Sequence, residues 1–129
     1  LTASSSKTAS QPQAKQTILV VKDEILIRFD IADALREKGY VVFEAANGDE
    51  ALSLLASGVP CDLVFSAVRM PGTVDGLELA RIIRTQHPNV PVLLTSGHLP
   101  HDEAINATAF VSKPYCQADL LRLIANLLC

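Results

Sequence analysis

The sequence predicts an α/β protein, a parallel sheet with helices on both faces, and three observations carry that expectation. Short runs rich in Val, Ile and Leu recur along the chain, bounded by Gly, Pro, Asn or Asp. Between them lie stretches whose apolar residues repeat at helical spacing. The connections are only a few residues long, which suits right-handed strand-helix-strand crossovers. A hydrophobic fraction of 49%, with no Trp, four Phe and two Tyr, implies a core of Val, Ile, Leu and Ala.

Leu1 to Gln16 is rich in Ser, Thr, Ala, Gln and Lys without apolar periodicity and reads as a disordered tail or linker, leaving residues 17–129 as the folded domain. Thr17 to Val21 is a buried first strand ending at Lys22-Asp23-Glu24. A helix follows with Ile27, Ile31, Ala34 and Leu35 on one face, closed by Gly39. Tyr40 to Ala45 is the second strand. Asn47, three residues before Glu50, forms a variant capping box for a helix with an Ala51, Leu54 and Leu55 stripe, stopped by Gly58 and Pro60.

Cys61 to Gly72 then runs as a strand into a Pro-Gly loop. Its three apolar residues between Asp62 and Ser66 suit a central strand covered on both faces. Asp75 and Glu78 repeat the cap spacing ahead of a helix with Leu79, Ile82 and Ile83 buried, ending before Pro88. Val90 to Ser96 and Ala109 to Ser112 are the fourth and fifth strands. His98 to Thr108, between them, is weakly patterned, so any helix there is short. Gln117 to Leu128 closes the domain as a helix with Leu120, Ile124 and Leu127 on one side. There is no internal repeat.

A length of 129 residues suits one domain, and the start at Leu1 suits a fragment of a longer protein. A net charge of −3 with scattered Lys and Arg argues against nucleic acid as a direct partner. Cys61, Cys116 and Cys129 form no C-x-x-C, which disfavours a metal cluster or disulfide framework and favours a reducing cytoplasm. No apolar run approaches membrane-spanning length, and the polar N-terminal stretch lacks the apolar core of a signal peptide.

In doubly wound folds, ligands bind outside the carboxyl ends of the strands. Lys22, Asp23 and Glu24 follow strand one, Ala67 ends strand three, Thr95 and Ser96 end strand four, and Lys113 follows strand five before Pro114. Singly these residues are ordinary: Asp23 and Glu24 could cap a helix, Lys113 could be a solvated charge, and Phe110 could be core. Four strand ends supplying one rim is a far more specific pattern. The stretch from Gln16 to Leu128 resembles the response-regulator receiver domain of two-component signalling, most strongly in I-L-V-V-K-D-E, V-R-M-P-G, L-L-T-S-G and V-S-K-P-Y.

The resemblance implies a flavodoxin-like, doubly wound five-stranded parallel sheet of order 2-1-3-4-5. It matches Asp23 to the second acid of a Mg²⁺-holding pair, Thr95 to the switch hydroxyl, Phe110 to the switch aromatic and Lys113 to the phosphoryl-contacting lysine, with a cis Lys113-Pro114 bond. Two positions depart from the family. Lys22 stands first in the acidic pair, and Ala67 stands where the phosphoacceptor Asp is expected. A methyl group cannot form an acyl phosphate. Lys22, Asp23 and Lys113 together carry one net positive charge, where a member with all its acids carries two negatives. A unit-charge pair at about 4 Å and an effective dielectric of about 20 is worth roughly 4 kcal/mol. That equals the whole binding energy of a ligand with a Kd of about 1 mM. Mg²⁺ binding is therefore expected to be lost or very weak, with no metal site and no other cofactor.

The expected function is that of a non-enzymatic, cytoplasmic pseudo-receiver. It would act through contacts of residues 98–128 with signalling proteins such as a histidine kinase or an output protein. Ala67 is either native or an engineered block in an ordinary receiver; Lys22 favours the first, since one Asp-to-Ala change suffices for a block. A remote alternative, a small nucleotide-binding enzyme, lacks glycine from Val21 to Ile25. A dimerising scaffold using the last strand and helix stays open, as does the oligomeric state. Ser66 is a poor substitute acceptor because strand alternation points it away from Ala67, and His87, His98 and His101 form no ligand set.

Overall fold

The computed structural model describes residues 15–97 and 107–128. Its elements are β1 (Thr17–Val21), α1 (Ile25–Glu37), β2 (Val41–Ala45), α2 (Gly48–Ala56), β3 (Leu63–Ala67), α3 (Gly76–Gln86), β4 (Val92–Ser96), β5 (Ala109–Ser112) and α4 (Gln117–Leu128). The strands form one five-stranded parallel sheet in the order β2-β1-β3-β4-β5, the 2-1-3-4-5 order expected. Burial follows position in the sheet. Every residue of β1, β3 and β4 is buried, whereas the edge strands β2 and β5 are only partly so.

Because side chains alternate along a strand, each central strand feeds two cores. Ile18, Val20, Leu63, Phe65 and Leu93 pack with Ile31, Ala32 and Leu35 of α1 and with Leu120 and Ile124 of α4. On the opposite face, Leu19, Val21, Val64 and Leu94 meet Ala51 and Leu55 of α2 and Leu79, Ala80 and Ile83 of α3. The two faces separate the helices into pairs, as a doubly wound sheet requires.

The caps form where the spacing places them. Glu50 N donates to Asn47 Oδ1 at 2.8 Å, and Glu50 Oε1 accepts from Ala46 N at 2.7 Å. Glu78 N donates to Asp75 Oδ1 at 2.9 Å. Gly39, past the end of α1, has φ +97°, a left-handed conformation that glycine adopts without steric cost.

Two strand boundaries and one helix face differ from expectation. β2 begins at Val41 rather than Tyr40, and β4 at Val92 rather than Val90, because pairing sets where a strand begins and hydrophobic composition does not. The α1 residues that reach the core are Ile31, Ala32 and Leu35, whereas Ala34 is half-buried and Ile27 is 40% exposed. Ile25, Leu26 and Phe29 are exposed as well, because at helical spacing they lie off the Ile31 and Leu35 stripe. Most of the tail and of the weakly patterned His98–Thr108 stretch lies outside the described residues.

Candidate functional site

The carboxyl ends of β1, β3, β4 and β5 form a rim, and register sets its order. Val21 pairs with Ser66 and Ala67 with Thr95, so the next step along β1 puts Lys22 beside Ala67. Lys22 N donates to Ala45 O and Val68 N to Thr95 O, both at 3.0 Å. Around these strand ends lies a cavity of about 250 Å³ lined by Lys22, Ala67, Arg69, Thr95, Gly97 and Lys113 among others.

The Lys22 side chain is 12% exposed, with Nζ 3.6 Å from Asp23 Oδ1 and 3.8 Å from Glu24 Oε1. Arg28 fixes the backbone there. Its Nη1 donates to Lys22 O at 2.9 Å, while its Nε pairs with Glu44 Oε1 at 3.1 Å. Arg36 Nη1 holds the other Glu44 oxygen at 3.2 Å, so α1, β2 and the end of β1 are tied by one carboxylate.

Thr95 is 3% exposed, and its Oγ1 is buried with no hydrogen-bond partner among the described residues. Leaving a buried hydroxyl unsatisfied costs about 1–3 kcal/mol, so an orphan at a cavity wall is a notable feature. Phe110 is half-buried on the α2/α3 side of the sheet. It pairs in register with Leu94 rather than Thr95, which places it on the opposite face from the Thr95–Val111 pair. Lys113 N donates to Ser96 O at 3.1 Å, and the Lys113-Pro114 bond is cis. Lys113 also lines a larger groove of about 640 Å³ between α1 and the start of α4, with Ile27, Asp30, Tyr115 and Leu120. Burial in that groove pushes the Tyr115 phenol pKa up.

Ser66 is fully buried, and its Oγ donates to Ala67 O at 2.8 Å. Gly76 closes the rim from below, with its N donating to Val68 O at 2.7 Å. A Cβ on Gly76 would strike Ala67 O and come within 2.7 Å of Val68 Cα, so the loop from 69 to 75 can return this closely only through a glycine. Among the described residues no three His, Cys, Asp or Glu side chains converge as a metal-binding group. His87 follows α3, its N donating to Ile83 O, while His98 and His101 lie outside the described residues.

Two residues of this region escaped the sequence reading. Arg69 lies within V-R-M-P-G and lines the cavity, yet nothing in its spacing distinguishes it from a solvated loop arginine. Arg28 sits on a helix among exposed apolar residues, and its role depends on Glu44, which is distant in sequence.

The response regulator receiver domain profile matches residues 18–125. The sensor kinase CckA of Brucella abortus is 34% identical over 126 residues, covering 93% of this chain and 13% of that protein. The nitrogen assimilation regulatory protein NtrX of Azorhizobium caulinodans is 38% identical over 115 residues, 84% of this chain and 25% of the relative. The chain thus spans only a part of these curated relatives. Among solved structures, response regulator TrrA from Thermotoga maritima, in complex with Mg²⁺-BeF, superposes with a TM-score of 0.80 at 34% identity, covering 88% of this chain and 99% of that one. The receiver domain of NtrX from Brucella abortus gives 0.76 at 34% identity, with 86% and 97% covered. With a family match over nearly all of the folded part, and a sheet of the same strand order beneath it, the chain belongs to the response-regulator receiver domains of two-component signalling.

Proposed function

We propose that this receiver is a pseudo-receiver, one that takes no phosphoryl group at its rim and signals through protein contacts. The observation that carries the reading is Ala67 at the end of β3, beside Lys22 and Thr95, with no side-chain atom beyond Cβ. An acyl phosphate needs a carboxylate oxygen to attack phosphorus, and Ala67 supplies none. Ser66 does not replace it, because its hydroxyl is buried on the other face and bonded to a carbonyl.

The donor set does not fit Mg²⁺. That ion takes hard oxygen ligands in near-octahedral geometry, whereas Lys22 points an ammonium toward Asp23 and Glu24, and among the described residues no carboxylate lines the cavity. A receiver toggles because a bound phosphoryl group contacts its two states differently. Without the acceptor, Thr95 and Phe110 stay in one arrangement. Output then falls to the surface of residues 98–128, read by a histidine kinase or an output protein in the cytoplasm. In support, the described part of that surface, with α1, forms the 640 Å³ groove, and no helix among the described residues is long and apolar enough to cross a membrane.

The test is incubation with acetyl phosphate or fluoroberyllate plus Mg²⁺, followed by intact mass and amide chemical shifts. Neither reagent should alter the domain. A stable phosphoryl adduct on any rim residue would overturn the reading.

A further inference from the structure

We infer that the outer face of α1 is a self-association surface, on which a second copy of this chain docks with its own α1 running antiparallel. The inference is independent of the pseudo-receiver reading, because none of the residues that carry it lines the rim cavity. An apolar patch, the charges at the two ends of the helix and a sealed sheet edge point to it.

Four of the five large apolar side chains exposed among the described residues fall within the first five positions of α1. One of them, Ile27, turns toward α4 and lines the groove beside Tyr115. At helical spacing the other three, Ile25, Leu26 and Phe29, share a face with the exposed Asp33 and Arg36, on the side of α1 away from that groove. Leu26 is 81% exposed and Phe29 55%. A contiguous patch of this kind approaches the few hundred Å² that monomeric proteins rarely exceed, and such patches mark interaction sites.

The ends of the helix say what fits the patch. Ahead of it stand Asp23 and Glu24, which with Lys22 leave one net negative charge. Beyond it Arg28 and Arg36 share the single carboxylate of Glu44, leaving one net positive charge, and Lys38 offsets Glu37. A surface that is apolar in the middle, negative at one end and positive at the other is complementary to itself across a twofold axis. With that axis at Phe29, residues equidistant from it meet. Arg36 of one copy then comes level with the Lys22-Asp23-Glu24 turn of the other, and Asp33 with Ile25. Glu24, the N-cap of α1, makes no side-chain cap bond, and the first turn holds no acid. Asp33 of the second copy supplies the missing negative charge at that positive helix end. A parallel arrangement would bring like ends together.

Pairing through the free edge of β2 is the poorer route. Val41 N donates to Gln16 O and Ala45 O accepts from Lys22 N, so Val42 between them faces outward. Arg36 Nη2 donates to Val42 O at 2.9 Å and blunts that edge. A standard interface takes about 800 Å² from each partner. That is more than three apolar side chains provide, so the dimer is weak, with a dissociation constant of about 10–100 μM.

The experiment is sedimentation equilibrium of the full chain from about 1 μM to about 1 mM, with amide spectra recorded on dilution. The mass should rise from monomer to dimer, and dilution should shift Leu26, Phe29 and Arg36. Leu26→Arg, at a side chain that lies in solvent, should keep the folded spectrum and weaken association at least tenfold. Arg36 is left in place because it also holds Glu44. Glu24→Lys and Lys38→Glu should each weaken the dimer about threefold and, combined, return it to within about twofold of the parent, as exposed ion pairs exchange sign. A chain that stays monomeric throughout, or a dimer that Leu26→Arg leaves intact, would overturn the inference. So would charge variants without effect or without mutual restoration, and dilution shifts confined to α4.

Discussion

Replacing Ala67 by Asp places a carboxylate one strand away from Lys22, and the structure sets the size of the response. Register puts the two positions side by side at the ends of adjacent parallel strands, which lie about 4.8 Å apart. A unit-charge pair at about 4 Å and an effective dielectric of about 20 is worth roughly 4 kcal/mol. Two effects reduce that figure. Lys22 already shares its charge with Asp23 and Glu24, whose side chains are 39% and 64% exposed and whose own pairs are worth only about 0–1 kcal/mol each. The rim is also open enough for solvent to screen the new pair. A coupling of about 1–2 kcal/mol remains, within the usual range for residues in contact.

The assay is a double-mutant cycle of Ala67→Asp and Lys22→Met by urea denaturation at neutral pH. At an m-value of roughly 1–2 kcal/mol/M, the coupling corresponds to a midpoint difference of about 1 M. The introduced carboxylate gains an opposite charge on folding, so its folded pKa lies below its unfolded one. The coupling is therefore present above the unfolded value and is lost as the pH falls through the folded value. In the same variants, acetyl phosphate should label Ala67→Asp slowly at best, and Lys22→Asp combined with Ala67→Asp in a Mg²⁺-dependent way. A coupling below about 0.3 kcal/mol, inside the error of additivity, would refute the placement of Lys22. Full-rate labelling of the single variant would show that Lys22 is no obstacle.

Gly76→Ala should destabilise the domain by about 1–3 kcal/mol, because its Cβ meets the rigid backbone of Ala67 and Val68; an unchanged urea midpoint would show that the loop yields. Leu93→Ala should cost about 2–5 kcal/mol, whereas Leu26→Ala, at a side chain 81% exposed, should stay within about 0.5 kcal/mol; comparable losses would show that the first turn of α1 is packed. Burial pushes the Cys61 thiol up to about 11, while Cys116 is exposed. Peptide mapping after alkylation at pH 8 should therefore find Cys116 modified well before Cys61, and equal rates would contradict the burial.

Local patterns in the chain were enough for most of the architecture. Asn47 with Glu50 and Asp75 with Glu78 announce two helix starts, because a cap is a contact between residues three apart. The apolar run ahead of Ser66 announces the central strand, since a strand covered on both faces needs no polar alternation. Periodicity misjudged α1. Ile27 is in phase with Ile31 and Leu35, yet it lines the groove beside Pro114 and Tyr115 and stays 40% exposed, and phase says nothing about what lies opposite.

The rim divides the same way. Its membership was legible from the ends of the apolar runs and the resemblance they carry, and Ala67 excludes an acyl phosphate by its chemistry alone. Whether Lys22 folds back toward Asp23 and Glu24, whether Thr95 Oγ1 finds a partner, and whether Arg69 joins the cavity depend on side chains from strands far apart in sequence. Parallel pairing brings those strands together, with Val21 against Ser66 and Ala67 against Thr95. Residue types and their order therefore set the strands, the helices and the lost nucleophile. The charge balance and the orphan hydroxyl exist only once β1, β3, β4 and β5 lie side by side, because each is a sum over neighbours that no single stretch of chain contains.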